Sequence, residues 1–121
     1  MTQPRFAATR DANEPDIVEV LHVAGAGVRR LYDTRESGTP DLLVGHTGRI
    51  VCLHCGRGFT HPVNSLLECK MPRGNLSPEQ IWFAQCWPGA APVTVRGAHD
   101  ALVAIGRASA IVGKDCRGKN Q

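Results

Sequence analysis

Glu68 and Lys70 stand two apart in an apolar stretch running from Leu66 to Met71. On a β-strand that spacing sends both side chains to one face and Cys69 to the other. Asp41 opens a second apolar stretch, Leu42-Leu43-Val44, and Glu14 lies near the start of a third, three residues before Ile17 and seven before Leu21. Hard cations such as Mg²⁺ take carboxylate oxygens and water, usually through one or two protein carboxylates. Asp41 and Glu68 would supply those, with the Cys69 main-chain carbonyl as a third oxygen. A cation held this way activates water and offsets charge developing on a phosphodiester. Lys70 beside it would orient or deprotonate the attacking water. Each residue also has an ordinary use. An Asp after Pro40 starts a turn or strand, a Glu-x-Lys pair decorates a solvated face, and an acid in a first helical turn answers the helix dipole. Spacing alone leaves both readings open.

A second set of ligand types lies in Cys52-Leu53-His54-Cys55-Gly56-Arg57-Gly58-Phe59, a C-x₂-C pair followed by glycine and an aromatic residue. Structural zinc takes four N or S ligands, and His61 and Cys69 are the candidates to complete the set with Cys52 and Cys55. No His-x₃₋₅-His follows, so the two-histidine finger pattern fails. Zinc here would brace the segment rather than take part in catalysis. The competing reading makes Cys52 a buried strand residue and His54 and His61 ordinary loop histidines.

The elements that must position these groups follow from periodicity and punctuation. Ile17, Val20, Leu21 and Ala24 form one helical stripe, which begins near Asn13 with Pro15 in its first turn and ends at Gly25 and Gly27. That places Glu14 on the inward face. Val28 to Asp33 reads as a strand. Asp41 to Val44 and Ile50 to Leu53 read as a hairpin around a turn at His46-Thr47-Gly48-Arg49. Residues 54–64, with two glycines and a proline, read as an inserted loop, and Ser65 to Met71 as a strand. Ser77-Pro78-Glu79-Gln80 is a helix start with a capping box. Its apolar Ile81, Trp82, Phe83, Ala84 and Trp87 predict a largely buried helix, with Trp82 and Trp87 in the core rather than serving as stacking platforms. Pro92 to Arg96 gives a last strand and Ala98 to Ile105 a last helix. His22 and His99 fall on helix surfaces. Gly25-Ala26-Gly27 closes a helix instead of opening one, so it is no dinucleotide loop.

The chain has 121 residues, 42% of them hydrophobic and 21% charged. That suits one mixed α/β domain with a single core. The expected organisation is a flexible N-terminus at 1–10, a domain at 11–106 with an insertion at about 54–64, and a basic, flexible tail at 107–121. No apolar run approaches the ~20 residues of a membrane span, and Met1 to Arg10 has no apolar signal core; a cytoplasmic setting is expected, away from membranes. Five cysteines in such a setting argue for thiols or metal ligands rather than disulfides. Residues 1–48 carry five basic and seven acidic side chains, while residues 96–121 carry five basic and two acidic. A basic end of this kind suits a phosphate backbone or simply a solvated terminus.

Gly38-Thr39-Pro40-Asp41-Leu42-Leu43-Val44-Gly45 followed by Leu66-Leu67-Glu68-Cys69-Lys70 resembles the VRR-NUC branch of the PD-(D/E)xK nucleases, whose pattern is G-x-P-D-L-L-V-G and then L-E-V-K. Asp11-Ala12-Asn13-Glu14-Pro15 resembles that branch's N-terminal helix, and Leu76-Ser77-Pro78-Glu79-Gln80 its L-T-P-x-Q. The likeness covers about residues 11–106. It implies a restriction-endonuclease-like α/β core: a central mixed sheet flanked by helices, in α-β-β-β-α-β order with a C-terminal helix. It further implies Mg²⁺ or Mn²⁺ held by Asp41, Glu68 and the Cys69 carbonyl with support from Glu14, and Lys70, Gln80 and Glu14 as active-site residues. The partner implied is DNA, branched as for Holliday-junction resolvases, with a homodimer as the working form, in a bacterial or phage-infected cell. Cys69 departs from the family, where an aliphatic residue stands between Glu and Lys. The segment 52–64 is a second departure. Against this reading stand a non-catalytic nucleic-acid-binding module with a zinc-braced insertion, and a subunit active only in a larger complex.

Overall fold

In the computed structural model, which describes residues 11–31 and 36–107, the apolar stripe forms helix α1 (Glu14–Val23), with Ile17, Val18 and Leu21 buried. Strand β1 (Gly27–Arg30) follows, then β2 (Leu42–Val51) and β3 (Gly58–Cys69). Helix α2 (Pro78–Cys86), strand β4 (Val93–Val95) and helix α3 (Ala98–Ala104) complete the order. The expected N-terminal extension, 1–10, and the basic tail beyond Arg107 lie outside the described residues.

The four strands make one sheet in the order β1-β2-β3-β4. β1, β2 and β3 are antiparallel neighbours, and β4 runs parallel to β3. A parallel neighbour needs a crossover, and α2 is carried in it. Leu42 and Val44 of β2, Leu67 and Cys69 of β3 and Val95 of β4 alternate onto one face, where they form the core with Ile17, Leu21, Ala101 and Ile105 of the helical segments. Burying each large aliphatic side chain there contributes roughly 1.5–3 kcal/mol. The opposite face of β3 carries Glu68. The architecture is thus the expected mixed α/β domain with its sheet flanked by helices.

The central hairpin differs from expectation. β2 does not turn at His46-Thr47-Gly48-Arg49; it runs on to Val51, and the turn falls at residues 52–57. Gly48 is a strand residue for a steric reason. A Cβ there would stand 2.7 Å from Val63 Cγ2 and 3.0 Å from His61 Cε1, so the missing side chain makes room for the facing strand. Residues 58–64 are correspondingly not an insertion but the first half of β3. Pro62 is accommodated because β4 pairs only with Leu67, Glu68 and Cys69, leaving β3 an edge strand at Pro62. Since β1 pairs with β2 only over Leu42 to Gly45, the far half of the hairpin continues beyond the sheet as a two-stranded ribbon.

Helix α2 also departs from expectation, since none of its residues is buried. Ile81 is 43% exposed, Trp82 67% and Trp87 45%, so the apolar residues that predicted burial lie on an open surface. Phe83 and Trp87 stack on each other at 4.9 Å between centroids. The capping box does form, with the Ser77 hydroxyl accepting from the Gln80 N–H and the Gln80 side chain accepting from the Ser77 N–H.

Gly38 sets the position of this helix. Its φ is +85°, and a Cβ there would overlap the Glu79 main chain. Gly25 has a similar φ of +92° with nothing within 4 Å, so it isolates the backbone effect, about 1–2 kcal/mol for a residue with a Cβ. Gly25→Ala is expected to lower stability by about that amount. Gly38→Ala should lower it by more, as measured by denaturant unfolding.

Candidate functional site

The β2–β3 register brings two carboxyl groups together. Leu42 pairs with Leu67, and one step further along the two strands Asp41 faces Glu68. Directly opposed residues on adjacent strands hold their Cβ atoms about 4.5–5.5 Å apart. Asp41 is half-buried and Glu68 is 4% exposed. The Asp41 Oδ2 accepts the Cys69 N–H at 2.8 Å, replacing the main-chain bond that a longer β2 would have made. Burial raises both carboxyls from their ordinary values, opposed at Asp41 by its hydrogen bonds to Glu68 and to the Cys69 N–H. Glu68 is pushed up to about 9, first by burial, then by its hydrogen bond to Asp41 and by the charge of Asp41, with Lys70 pulling the other way. The two shifts together favour one proton held on the pair, with Glu68 as the donor side and Asp41 as the acceptor.

Gln80 holds Glu68 from the α2 side. Its Nε2 donates to Glu68 Oε2 at 2.7 Å, while its Oε1 accepts the Ser77 N–H at 2.8 Å. Both ends of one amide are thus engaged, which fixes its orientation and that of the carboxyl it meets. The capping box that begins α2 is part of the site as well as of the helix.

Lys70, half-buried, immediately follows the end of β3 at Cys69. Its N–H donates to Val95 O at 3.0 Å and its carbonyl accepts from Asn13 Nδ2 at 3.1 Å. The same Asn13 amide reaches Arg96 O at 3.2 Å, so one side chain ties the ends of β3 and β4 to the start of α1. Asp11 Oδ2 accepts the Met71 N–H at 2.8 Å, and its charge acts on both Asp41 and Glu68. Arg96 Nη1 donates to the carbonyls of Met71 and Gly74, clamping the loop after Lys70. Asp11, Asn13 and Arg96 are the positioning residues that sequence reasoning missed. Asp11 and Asn13 look like helix-capping residues, and only the tertiary fold redirects their side chains; Asn13 makes no cap hydrogen bond at all.

Not every expected site residue joins this cluster. Glu14 is fully buried but pairs with Arg30 at 2.8 Å, and it is not among the charges acting on Asp41 or Glu68. At the first position of α1 its side chain enters the core side and is met by Arg30 of β1. The charge of Asp11 acts on the carboxyl pair itself, while that of Glu14 reaches Cys69. The proposed zinc set also divides. Cys52 and Cys55 meet at the hairpin tip. His61 pairs with Gly48 part-way along the ribbon, and Cys69 is in the core, eleven residues beyond Gly58, or about 36 Å of strand. Among the described residues no group of three or more His, Cys, Asp or Glu side chains is gathered where it could hold a metal. Two carboxyls, Asp41 and Glu68, therefore stand as the acidic core of the site. His22 and His99 are exposed, as expected.

Comparison with protein-family models, with curated proteins and with solved structures finds no match. No helix among the described residues is long and apolar enough to cross a membrane.

Two measurements check this geometry. Because Glu68 titrates higher in the folded chain than in the unfolded one, folding takes up a proton between the ordinary glutamate value, about 4.3, and about 9. Stability in chelator should fall as pH rises through that interval, and Glu68→Gln should flatten the fall, read from thermal unfolding against pH. At the other acid, Arg30→Met leaves Glu14 buried without this partner and should cost about 3 kcal/mol. Adding Glu14→Gln to that variant should recover part of the loss in denaturant unfolding.

Proposed function

We propose that this chain is a divalent-metal-dependent DNA endonuclease that hydrolyses phosphodiester bonds. The observation that carries this reading is the Asp41–Glu68 pair, two carboxyls held together in a half-buried position where one must keep a proton. A divalent cation held by these two carboxyls would relieve that repulsion, because it would let both ionise. The donor chemistry fits: two carboxylates suit Mg²⁺ or Mn²⁺. The N–H and C=O of a strand residue face the same neighbouring strand, so the Cys69 carbonyl leaves β3 on the side of Asp41 and is the natural third oxygen. When bound, such a cation lowers the pKa of water and stabilises charge on a phosphoryl oxygen.

The remaining work falls to the chain's own side chains. Lys70 follows directly on β3 and its charge acts on both Asp41 and Glu68, a position from which its ammonium would orient the attacking water and offset phosphate charge. Gln80 keeps the Glu68 carboxyl turned toward Asp41. Asp11 and Arg96 hold the strand end and the loop after Lys70. The exposed Trp82 and Trp87 on α2 are surfaces on which unpaired bases stack, which supports a substrate with single-stranded or branched character. The likeness to the VRR-NUC branch of the PD-(D/E)xK nucleases supports the same assignment, with a Holliday-junction resolvase-like preference as its most specific form.

The test is cleavage of labelled four-way junction, flap, linear duplex and single-stranded DNA with Mg²⁺ or Mn²⁺ and with chelator. Cutting is expected only with metal, and Lys70→Ala should lower its rate about 10²-fold or more without changing the thermal midpoint beyond that of an ordinary surface substitution. DNA binding with no metal-dependent cutting by folded protein would instead identify a non-catalytic binding module.

A further inference from the structure

The tip of the β2–β3 ribbon is built more closely than a surface turn needs to be. The Cys52 N–H donates to Arg57 O at 2.9 Å, and the Gly56 N–H donates back to Cys52 O at 2.8 Å. Gly56 sits at φ +77°, a conformation that favours glycine. This closes Cys52-Leu53-His54-Cys55-Gly56 into a tight knuckle with the two thiols side by side. The main-chain N–H groups of Cys55 and His54 point at the Cys52 sulfur, and the Cys55 thiol lies beside it. Sulfur that accepts several N–H bonds is sulfur prepared to be a thiolate, the form that binds metal. Both cysteines are free thiols, Cys55 on the surface and Cys52 half-buried.

Two thiolates are half of a structural zinc site, which takes four N or S ligands in a tetrahedron. Among the described residues no third His, Cys, Asp or Glu joins them. The knuckle stands at the end of a ribbon, where a second knuckle can reach it without a clash from the sheet. Around it the chain shows an apolar surface with no cover among the described residues: Leu53 is 99% exposed, Ile50 55%, Phe59 53% and Val51 47%. Four thiolates on one zinc leave a net charge of two negative units, and basic side chains flank the knuckle to offset it. Arg57 lies over the Phe59 ring at 5.7 Å, and the Arg49 guanidinium lies against Gly58.

We propose that the Cys52–Cys55 knuckle is one half of a zinc site completed by the same two cysteines of a second copy of this chain, so that one zinc clasps two ribbons tip to tip. The clasp is isologous, as a two-fold dimer requires. Leu53 and its apolar neighbours are covered by their counterparts. The proposal does not depend on the nuclease reading, since the knuckle lies far along β3 from Glu68.

Full-length protein, reduced and stripped with chelator, is titrated with zinc chloride. Metal content and light-scattering mass are then read on the same sample. The expected result is one zinc retained per two chains and a doubling of mass that chelator reverses. Cys55→Ser and Cys52→Ser should abolish both while leaving the circular dichroism spectrum unchanged; Cys86→Ser and His54→Ala should retain both. Cobalt(II) in place of zinc should give thiolate-to-metal absorption with the intensity of four sulfurs. One zinc per monomer, no zinc retained, a dimer indifferent to chelator or to Cys55→Ser, or loss of zinc in His54→Ala would each overturn the proposal.

Discussion

Asp41, half-buried, and Glu68, almost fully buried, face each other across two antiparallel strands, and much of the surrounding structure exists to make that tolerable. Two carboxylates at this distance and burial repel too strongly to ionise together. The fold meets the constraint with a shared proton, an amide from Gln80, a main-chain N–H from Cys69 and the ammonium of Lys70 nearby. None of these partners is adjacent in sequence to both acids. They converge because β2, β3 and the start of α2 meet at one corner of the sheet, and because Asn13 and Arg96 hold that corner shut.

The same economy of position explains why α2 is at once well capped and poorly buried. Its N-terminal turn is fixed by the Ser77–Gln80 capping box and by the close approach of Gly38 to Glu79, and Gln80 reaches from that turn into the site. The rest of the helix needs only to continue. Its aromatic residues are free to face outward, and Phe83 and Trp87 satisfy part of their apolar surface by stacking on each other.

Residue pattern alone was enough to recover α1, the start of α2 and the place of Glu68 at the end of a strand, with Lys70 just beyond it. The 3.6-residue stripe of Ile17, Val20 and Leu21, the Ser77-Pro78 start and the two-residue strand period are local signals with local causes. What failed was of two kinds. Gly48 and Pro62 look like turn residues, yet one makes room for facing side chains and the other sits on an edge strand, so local residue type points to an earlier turn and a loop where the chain continues β2 and begins β3. Trp82 and Trp87 imply burial by composition, but burial depends on whether another element covers them. The different surroundings of Glu14 and Asp11 are of the second kind too. Both are acids at the start of α1, and only the direction each side chain takes decides which one meets Arg30 and which meets the strand end.

The ten-pair ladder between β2 and β3 has a direction in time as well as in space. Hairpins close from the turn outward, each pair shortening the loop that the next must close. Here the turn at residues 52–57 is one end, and the Leu42–Leu67 pair is the other. The two acids therefore meet last, at the end where their mutual repulsion opposes closure. In the folded chain that end is nevertheless the better held, with Leu42 and Leu67 fully buried and Gln80 and the Cys69 N–H on the acids, so the exposed ribbon opens first and the acids stay together while it does.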